Sequence, residues 1–384
     1  MSTKARIFFL MSFLWVVVTG CWDRSATQPV AEISGDTVLP AALQVKYARG
    51  FHFSKQEAYT LLHLHPGEDT LTLVLVPRDQ SGSIALVESP RILVPVQKLV
   101  ALSTTHVALL HALGADSVLS GLMRLQDVYE PTIRKRAAAG KVVEVGVAYE
   151  PNQEVILGLS PDVVMVSGGA SGENRRLEIV QEAGIAVLPN TEWLEPHPLG
   201  RAEWLKVMGA LLGQEHKAAQ EFERIATAYE TQAALVDRVD SRPTVVVNLP
   251  YKDTWFVPGG QNYQTQLLHD AGADYPWHDA GQQQSLPLSF EAVYPIALEA
   301  EVWLNTGTAT TRTAIREQDA RYADFRPMQT GRVYNNTRQM DAEGRNPYWE
   351  RGVIEPHVLL ADLIKILHPE LLPDHQLQYY QQLP

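Results

Sequence analysis

The stretch from Arg201 to Val239 constrains this chain more than any other. From Gln214 onward, Phe222, Ile225, Tyr229, Val236 and Val239 recur at helical spacing with Glu and Arg between them, which predicts an amphipathic helix. Gly213 breaks or bends the run, so one helix or two is open at this point. A helix of about 25 residues spans roughly 37 Å, the width of a small domain. The segments before and after it look alike, each a set of short apolar strands alternating with helices. Strands spaced in that way predict a parallel sheet. The expected fold class is therefore α/β, with two lobes, each a mainly parallel sheet flanked by helices, joined by a long rigid helix. The competing architecture is one large α/β domain with a long surface helix.

The expected organisation runs as follows: residues 1–20 a lipoprotein signal peptide, 21–97 a tether and β-rich extension, 98–200 an N-terminal lobe, 201–240 the linking helix, and 241–384 a C-terminal lobe. Lys4 and Arg6 precede an apolar run from Ile7 to Val18, and small residues then lead into Cys21, the only cysteine of the chain. A basic start, a short apolar run and small residues at a cleavage point make a signal peptide. The run is too short for a membrane-spanning helix of about 20 residues. Small residues directly before a cysteine resemble a bacterial lipobox, in which the cysteine becomes the lipidated first residue. A soluble body tethered to a membrane outside the cytoplasm through Cys21 is the expectation.

One cysteine excludes a disulfide within the chain and a thiolate zinc site. A formal net charge of -12 argues against nucleic-acid binding, which wants a basic face. Leu71 to Val76 and Ser83 to Val87 read as strands with turn residues between them, an antiparallel ribbon decorating the first lobe. Apolar runs at 98–102, 118–122, 162–166 and 185–188 read as strands of the first lobe. Those at 243–248, 301–305 and 332–335 read as strands of the second.

An internal echo links the halves. Glu154 lies in the first turn of a helix that precedes the strand from Asp162, and Glu291 lies in the first turn of a helix that precedes the strand from Glu301. Carboxylates suit a first helical turn through the helix dipole, so each alone has a structural reading; the matching positions favour a functional one.

Phosphate loops of the G-x-x-x-x-G-K-[ST] type, H-E-x-x-H pairs and G-x-S-x-G elbows are absent from the sequence, and nothing assembles a nucleophile, a base and an oxyanion donor. The expectation is a protein that is not an enzyme. The glycine-rich run from Ser167 to Gly172 reads as a strand-to-helix turn. His63 and His65 alternate in a strand-like run and read as surface or core. His106 follows the first strand of its lobe, where α/β ligands often sit, and is the one candidate metal ligand. Trp255, Tyr263, Trp277, Tyr348 and Trp349 fall next to glycine or proline, where loop aromatics can line a pocket; loop packing is the competing reading. Arg338, Arg345 and Arg351 lie near Trp349 and suit an anionic chelate or a solvated charged face.

Five segments now carry a resemblance: residues 99–106 (LVALSTTH), 151–164 (PNQEVILGLSPDVV), 254–260 (TWFVPGG), 288–293 (LSFEAV) and 346–351 (NPYWER). Together they make the chain resemble the periplasmic substrate-binding proteins of ABC importers that take up iron-siderophores, cobalamin and haem, from Leu99 to the C-terminus. The resemblance implies limited closure of two lobes on a metal chelate. It also implies that Glu154 and Glu291 dock onto arginines of an ABC permease, which acts with its ATPase. Cleft aromatics would carry over to Trp255 and Trp349, and to Tyr149 and Tyr348. Thr104, Thr105, His106, Arg338 and Arg345 complete the expected ligand-binding set. The expected cofactor is none beyond lipid at Cys21, and the expected state is a monomer. A free zinc or manganese binder built around His106, or a lipid-anchored α/β enzyme, are the alternatives.

Overall fold

The computed structural model describes residues 38–67, 69–80, 89–147, 150–168 and 174–384. The expected signal peptide, Cys21, the expected strand at 83–87, Tyr149 and most of the expected glycine-rich turn lie outside the described residues.

The extension is a four-stranded sheet in the order β1 (Phe51–Lys55), β2 (Thr60–Leu64), β3 (Leu71–Pro77) and β4 (Arg91–Val94), antiparallel except that β4 runs parallel to β3. It does more than decorate the first lobe. Phe51, Phe53, Leu62, Leu64, Leu73, Leu75 and Ile92 enter the same apolar cluster as Leu99, Leu109, Met165 and Trp204. At its end, Arg78 pairs with Asp162 at 2.7 Å, and that carboxylate also accepts from the backbone N–H groups of Gln97 and Lys98.

The N-terminal lobe is a parallel sheet in the order β11 (Ala186–Asn190), β10 (Val163–Ser167), β5 (Leu99–Ala101), β6 (Leu119–Leu122) and β7 (Val143–Glu144). Its helices are α1 (Thr104–Ala112), α2 (Pro131–Ala138), α3 (Gln153–Leu159) and α4 (Glu178–Glu182), with a short hairpin of β8 (Gly146–Val147) and β9 (Glu150–Pro151) before α3. Runs such as Val163 to Val166 are buried throughout, as expected of parallel strands covered on both faces.

The C-terminal lobe repeats the scheme. Strands β12 (Val245–Val247), β15 (Val302–Leu304) and β16 (Val333–Asn335) are parallel, and β17 (Gln381–Gln382) closes the edge antiparallel. Strands β13 (Trp255–Val257) and β14 (Leu286–Leu288) form a separate two-stranded antiparallel sheet. The helices are α8 (Tyr263–Asp270), α9 (Phe290–Glu299), α10 (Arg312–Gln318), α11 (Arg326–Thr330), α12 (Pro347–Arg351) and α13 (Pro356–Leu367).

The linking segment is three helices, α5 (Pro198–Glu203), α6 (Leu205–Leu212) and α7 (Glu215–Val236). Gly213 ends α6 at φ 64, the left-handed conformation in which glycine carries no side-chain penalty. Helix α6 buries all its side chains, among them Leu205, Val207, Met208 and Leu211 in the N-terminal core, whereas α7 gives Phe222, Ile225, Tyr229 and Val236 to the C-terminal one. Two buried carboxylates fasten the segment to the start of the extension. Glu203 accepts from the backbone N–H groups of Lys46, Tyr47 and Ala48 and pairs with Lys206 at 2.8 Å. Glu195 accepts from the N–H groups of Arg49 and Gly50 and from the Trp204 indole. Removing one partner of a buried, hydrogen-bonded pair costs about 3–5 kcal/mol because the other charge is stranded. Glu203→Ala, which strands Lys206 and three amides, should lower unfolding stability by an amount of that order, read as a drop in the urea midpoint at unchanged slope.

Candidate functional site

The carboxyl ends of β5, β6 and β10 open onto a trench made of adjoining cavities. The largest, about 610 Å³, has an apolar floor of Leu102, Met123, Val166 and Leu177, with Ser103, Ser167, Arg176 and Trp193 around it. A second of about 220 Å³ shares Leu102, Ser103 and Met123 and adds Thr104, Arg124 and Asp127. A third of about 510 Å³ shares Thr104 and Asp127 and crosses to the other lobe, where Glu343, Gly344, Arg345, Asn346 and Trp349 form its far wall. Ligands of open α/β sheets sit outside the carboxyl ends of the strands, and this trench lies there.

Local sequence explains the positions. Ser103 caps α1, its hydroxyl accepting from the Thr105 N–H at 3.3 Å, so the helix start, with its surplus of N–H groups, faces the trench at Thr104. The Thr105 hydroxyl is hydrogen-bonded to Ser103 at 2.9 Å. Asn346 caps α12 through the Tyr348 N–H, with Pro347 in the first turn, which sets Trp349 outward. Trp193 and Trp349 remain 44% and 53% exposed, so each keeps an aromatic face available at opposite ends of the trench. The arginines nearby are engaged. Arg124 pairs with Asp127 at 3.2 Å, and Arg345 is held by Asp341 and Glu343, both at 2.6 Å.

The expected site residues divide. Thr104, Arg345 and Trp349 come together in the trench. Trp255 does not join them. It lies in β13, fully buried, its indole N–H on the Val247 carbonyl at 2.8 Å and its rings packed on Trp303, Phe290, Tyr322 and Phe325. Pro258 and the two glycines that follow suggested an exposed loop; they turn the chain back against residues 278–284, where a Cβ on Gly259 or Gly260 would strike backbone carbonyls at 2.2 and 2.1 Å. Tyr348 is likewise buried, its ring edge-on to Trp349 at 4.8 Å and its hydroxyl 3.4 Å from that of Tyr380; burial pushes the phenol up to about 12. It backs the trench wall without forming it. Arg338 is exposed and lines none of these cavities. Sequence reasoning missed Trp193 and Met123. Each closely follows a parallel strand at its carboxyl end, and that position was the signal available.

His106 also departs from expectation. It is wholly buried in α1, and neither ring nitrogen has a partner among the described residues. Burial alone lowers it from 6.5 to about 3, so the ring is neutral in the fold. Among the described residues no group of three or more His, Cys, Asp or Glu side chains is arranged to hold a metal ion.

Glu154 and Glu291 occupy equivalent places. Each is exposed and second in its helix, after an N-cap side chain (Asn152 or Ser289) that accepts from the N–H three residues on. Each helix follows the second strand of a two-stranded antiparallel pair and leads into a parallel strand, so both glutamates stand at the carboxyl edge of their own sheet.

The family model described as periplasmic binding protein matches residues 99–339, which span the parallel strands of both lobes and the linking helices. The chain belongs to the periplasmic binding protein family. This binding protein is 26% identical over 296 residues, 75% of its own length and 69% of the relative's, to an uncharacterized lipoprotein of Methanocaldococcus jannaschii. Its fold matches a periplasmic heme binding protein of Pseudomonas aeruginosa with a TM-score of 0.53 at 21% identity, covering 72% of this chain and 94% of that one. It also matches the triscatecholate siderophore binding protein FeuA of Bacillus subtilis, complexed with ferri-bacillibactin, with a TM-score of 0.55 at 15% identity, covering 73% and 95%.

A histidine held neutral by burial weakens a fold in acid. Because the folded value is depressed, no stability is lost above 6.5, and it is lost progressively as pH falls from there toward about 3. His106→Leu in the binding protein should therefore hold or raise the melting temperature at pH 7 and flatten its decline between pH 6 and 4, followed by circular dichroism.

Proposed function

We propose that this protein is the lipid-anchored, extracytoplasmic solute-binding component of an ABC importer, capturing an iron-siderophore or related metal chelate such as haem between its lobes and delivering it to the permease. The trench carries the reading: an apolar floor, an exposed tryptophan at either end, and arginines whose carboxylate partners could be exchanged for anionic groups of a ligand. Two fold neighbours named for a heme and for a ferric siderophore favour a chelate over a bare ion. The burial of His106 weighs the same way. The tether rests on the sequence before Cys21 and on a relative named as a lipoprotein.

Purification from its native envelope should bring a coloured chelate with the protein, visible as absorbance between the near ultraviolet and the red. An aromatic face on a ligand contributes on the order of 1 kcal/mol beyond area, so Trp193→Ala and Trp349→Ala should each weaken chelate binding by roughly five- to tenfold. Unchanged titrations in the double variant would remove the trench from consideration.

The paired glutamates supply a handle on each lobe for the permease, which would present basic side chains to them. Glu154→Ala with Glu291→Ala should leave chelate affinity in solution intact and abolish uptake by cells. Uptake at the wild-type rate in that double variant would end the docking assignment.

A further inference from the structure

Helix α12 carries Trp349 outward and, one residue later, Glu350 inward. Glu350 is 2% exposed, and its carboxyl reaches across to the N-terminal lobe, accepting from the backbone N–H groups of Tyr129 and Glu130 at 2.7 and 2.9 Å. These are the amides just before α2, where a helix start concentrates unpaired N–H groups. Two neighbouring contacts cross in the same place: Arg351 lies over the Tyr129 ring at 5.4 Å, and Arg134 approaches Asp341 at 3.8 Å. Helix α12 also packs on α1.

We propose that Glu350 is a positioning residue, a proton-dependent latch that fixes α12 of the C-terminal lobe to the start of α2 of the N-terminal lobe and thereby sets the gap between Trp349 and the rest of the trench.

The proton dependence follows from what surrounds the carboxyl. Its two oxygens face backbone donors, and among the described residues no guanidinium or ammonium is hydrogen-bonded to them: Arg351 donates to Gln339 instead. The Glu130 carboxylate stands close by, itself 6% exposed, capping the Thr132 N–H at 3.0 Å and lying 3.5 Å from His111 Nε2 of α1. The other titratable group of α1, His106, is neutral. Burial, with a smaller push from Glu130, outweighs the two N–H bonds and the pull of Arg351, and raises Glu350 from 4.5 to about 7. The carboxyl is thus easier to protonate inside the contact than in water, so closing the latch takes up a proton. Acid tightens it, and the contact weakens as pH rises through neutrality.

The latch itself does not depend on what the trench binds; only its effect on Trp349 rests on the chelate reading. Hydrogen exchange of the full chain without ligand therefore tests it directly, read at the Tyr129 and Glu130 amides. Wild type should protect both, and that protection should fall about tenfold from pH 6 to pH 8 beyond the change of intrinsic exchange, as a carboxyl shifted from 4.5 to about 7 requires. Glu350→Ala should abolish protection at these two amides and leave that of β5 and β10 as it was. Glu350→Gln, which keeps one acceptor and cannot ionise, should retain part of the protection and lose its pH dependence. His111→Gln should keep the wild-type slope. Free exchange of the two amides in wild type, a wild-type slope in Glu350→Gln, or a slope that disappears in His111→Gln instead would each overturn the assignment. A latch that behaves as expected in a protein whose trench binds no chelate would sink only the functional reading.

Discussion

How two lobes can approach one another depends on the piece of chain that joins them. Here that piece is pinned from the side by two buried carboxylates. Glu203 and Glu195 between them accept the N–H groups of five consecutive residues, Lys46 to Gly50, the stretch that leads into β1. Burial pushes Glu195 up, while the Arg49 amide, the Trp204 indole and the Gly50 amide pull it down. Backbone donors facing a low-dielectric interior must be satisfied, and a carboxylate with two oxygens satisfies several at once. The extension is therefore a brace. It closes the N-terminal core, and its first residues are stitched to the very helices that cross between lobes.

Much of this architecture could be read from short apolar runs. Strands such as Val163–Ser167 and Val302–Leu304 appear within a residue or two of where the sequence put them, because a run of β-branched and aliphatic residues bounded by turn residues has few other solutions. The matched helix starts at Glu154 and Glu291 were legible for a local reason as well. An Asn or Ser cap followed two residues later by a carboxylate is a short-range pattern, and no distant contact decides it. The linking segment was legible as helical, but its division needed Gly213 in the left-handed region, which one glycine in a sequence does not determine.

What the sequence concealed was set by contacts distant along the chain. Trp255 reads as a loop aromatic beside proline and glycine, yet it is enclosed by Trp303, Phe290, Tyr322 and Phe325, residues from 35 to 70 places away. Burial of a large aromatic is a property of the assembled core, and turn residues beside it say only that the chain changes direction. His106 sits at the carboxyl end of a strand, as a ligand would, but the helix it belongs to rotates it inward. Glu350 lies in a charged, aromatic run that reads as surface, and its partners are amides 220 and 221 residues earlier. No local periodicity encodes such a pairing.

The trench combines these two kinds of determination. Its floor is local: Leu102, Met123 and Val166 are at or just past strand ends, and the α/β pattern alone brings them to one edge. Its far wall is not, since Trp349 lines the trench from α12, which packs on α1 and accepts from the amides just before α2 across the lobes. The arginines around it are held in acidic pairs, Arg124 with Asp127 and Arg345 with Asp341 and Glu343. A partly exposed pair of this kind contributes little to stability, so exchanging its carboxylate for an anionic group of a ligand costs little. On the proposed chelate reading, selectivity would come from geometry. The floor would fix how deep a ligand sits, and the paired arginines would decide which anionic groups can replace an existing partner. The contact through α12 would decide how wide a ligand fits.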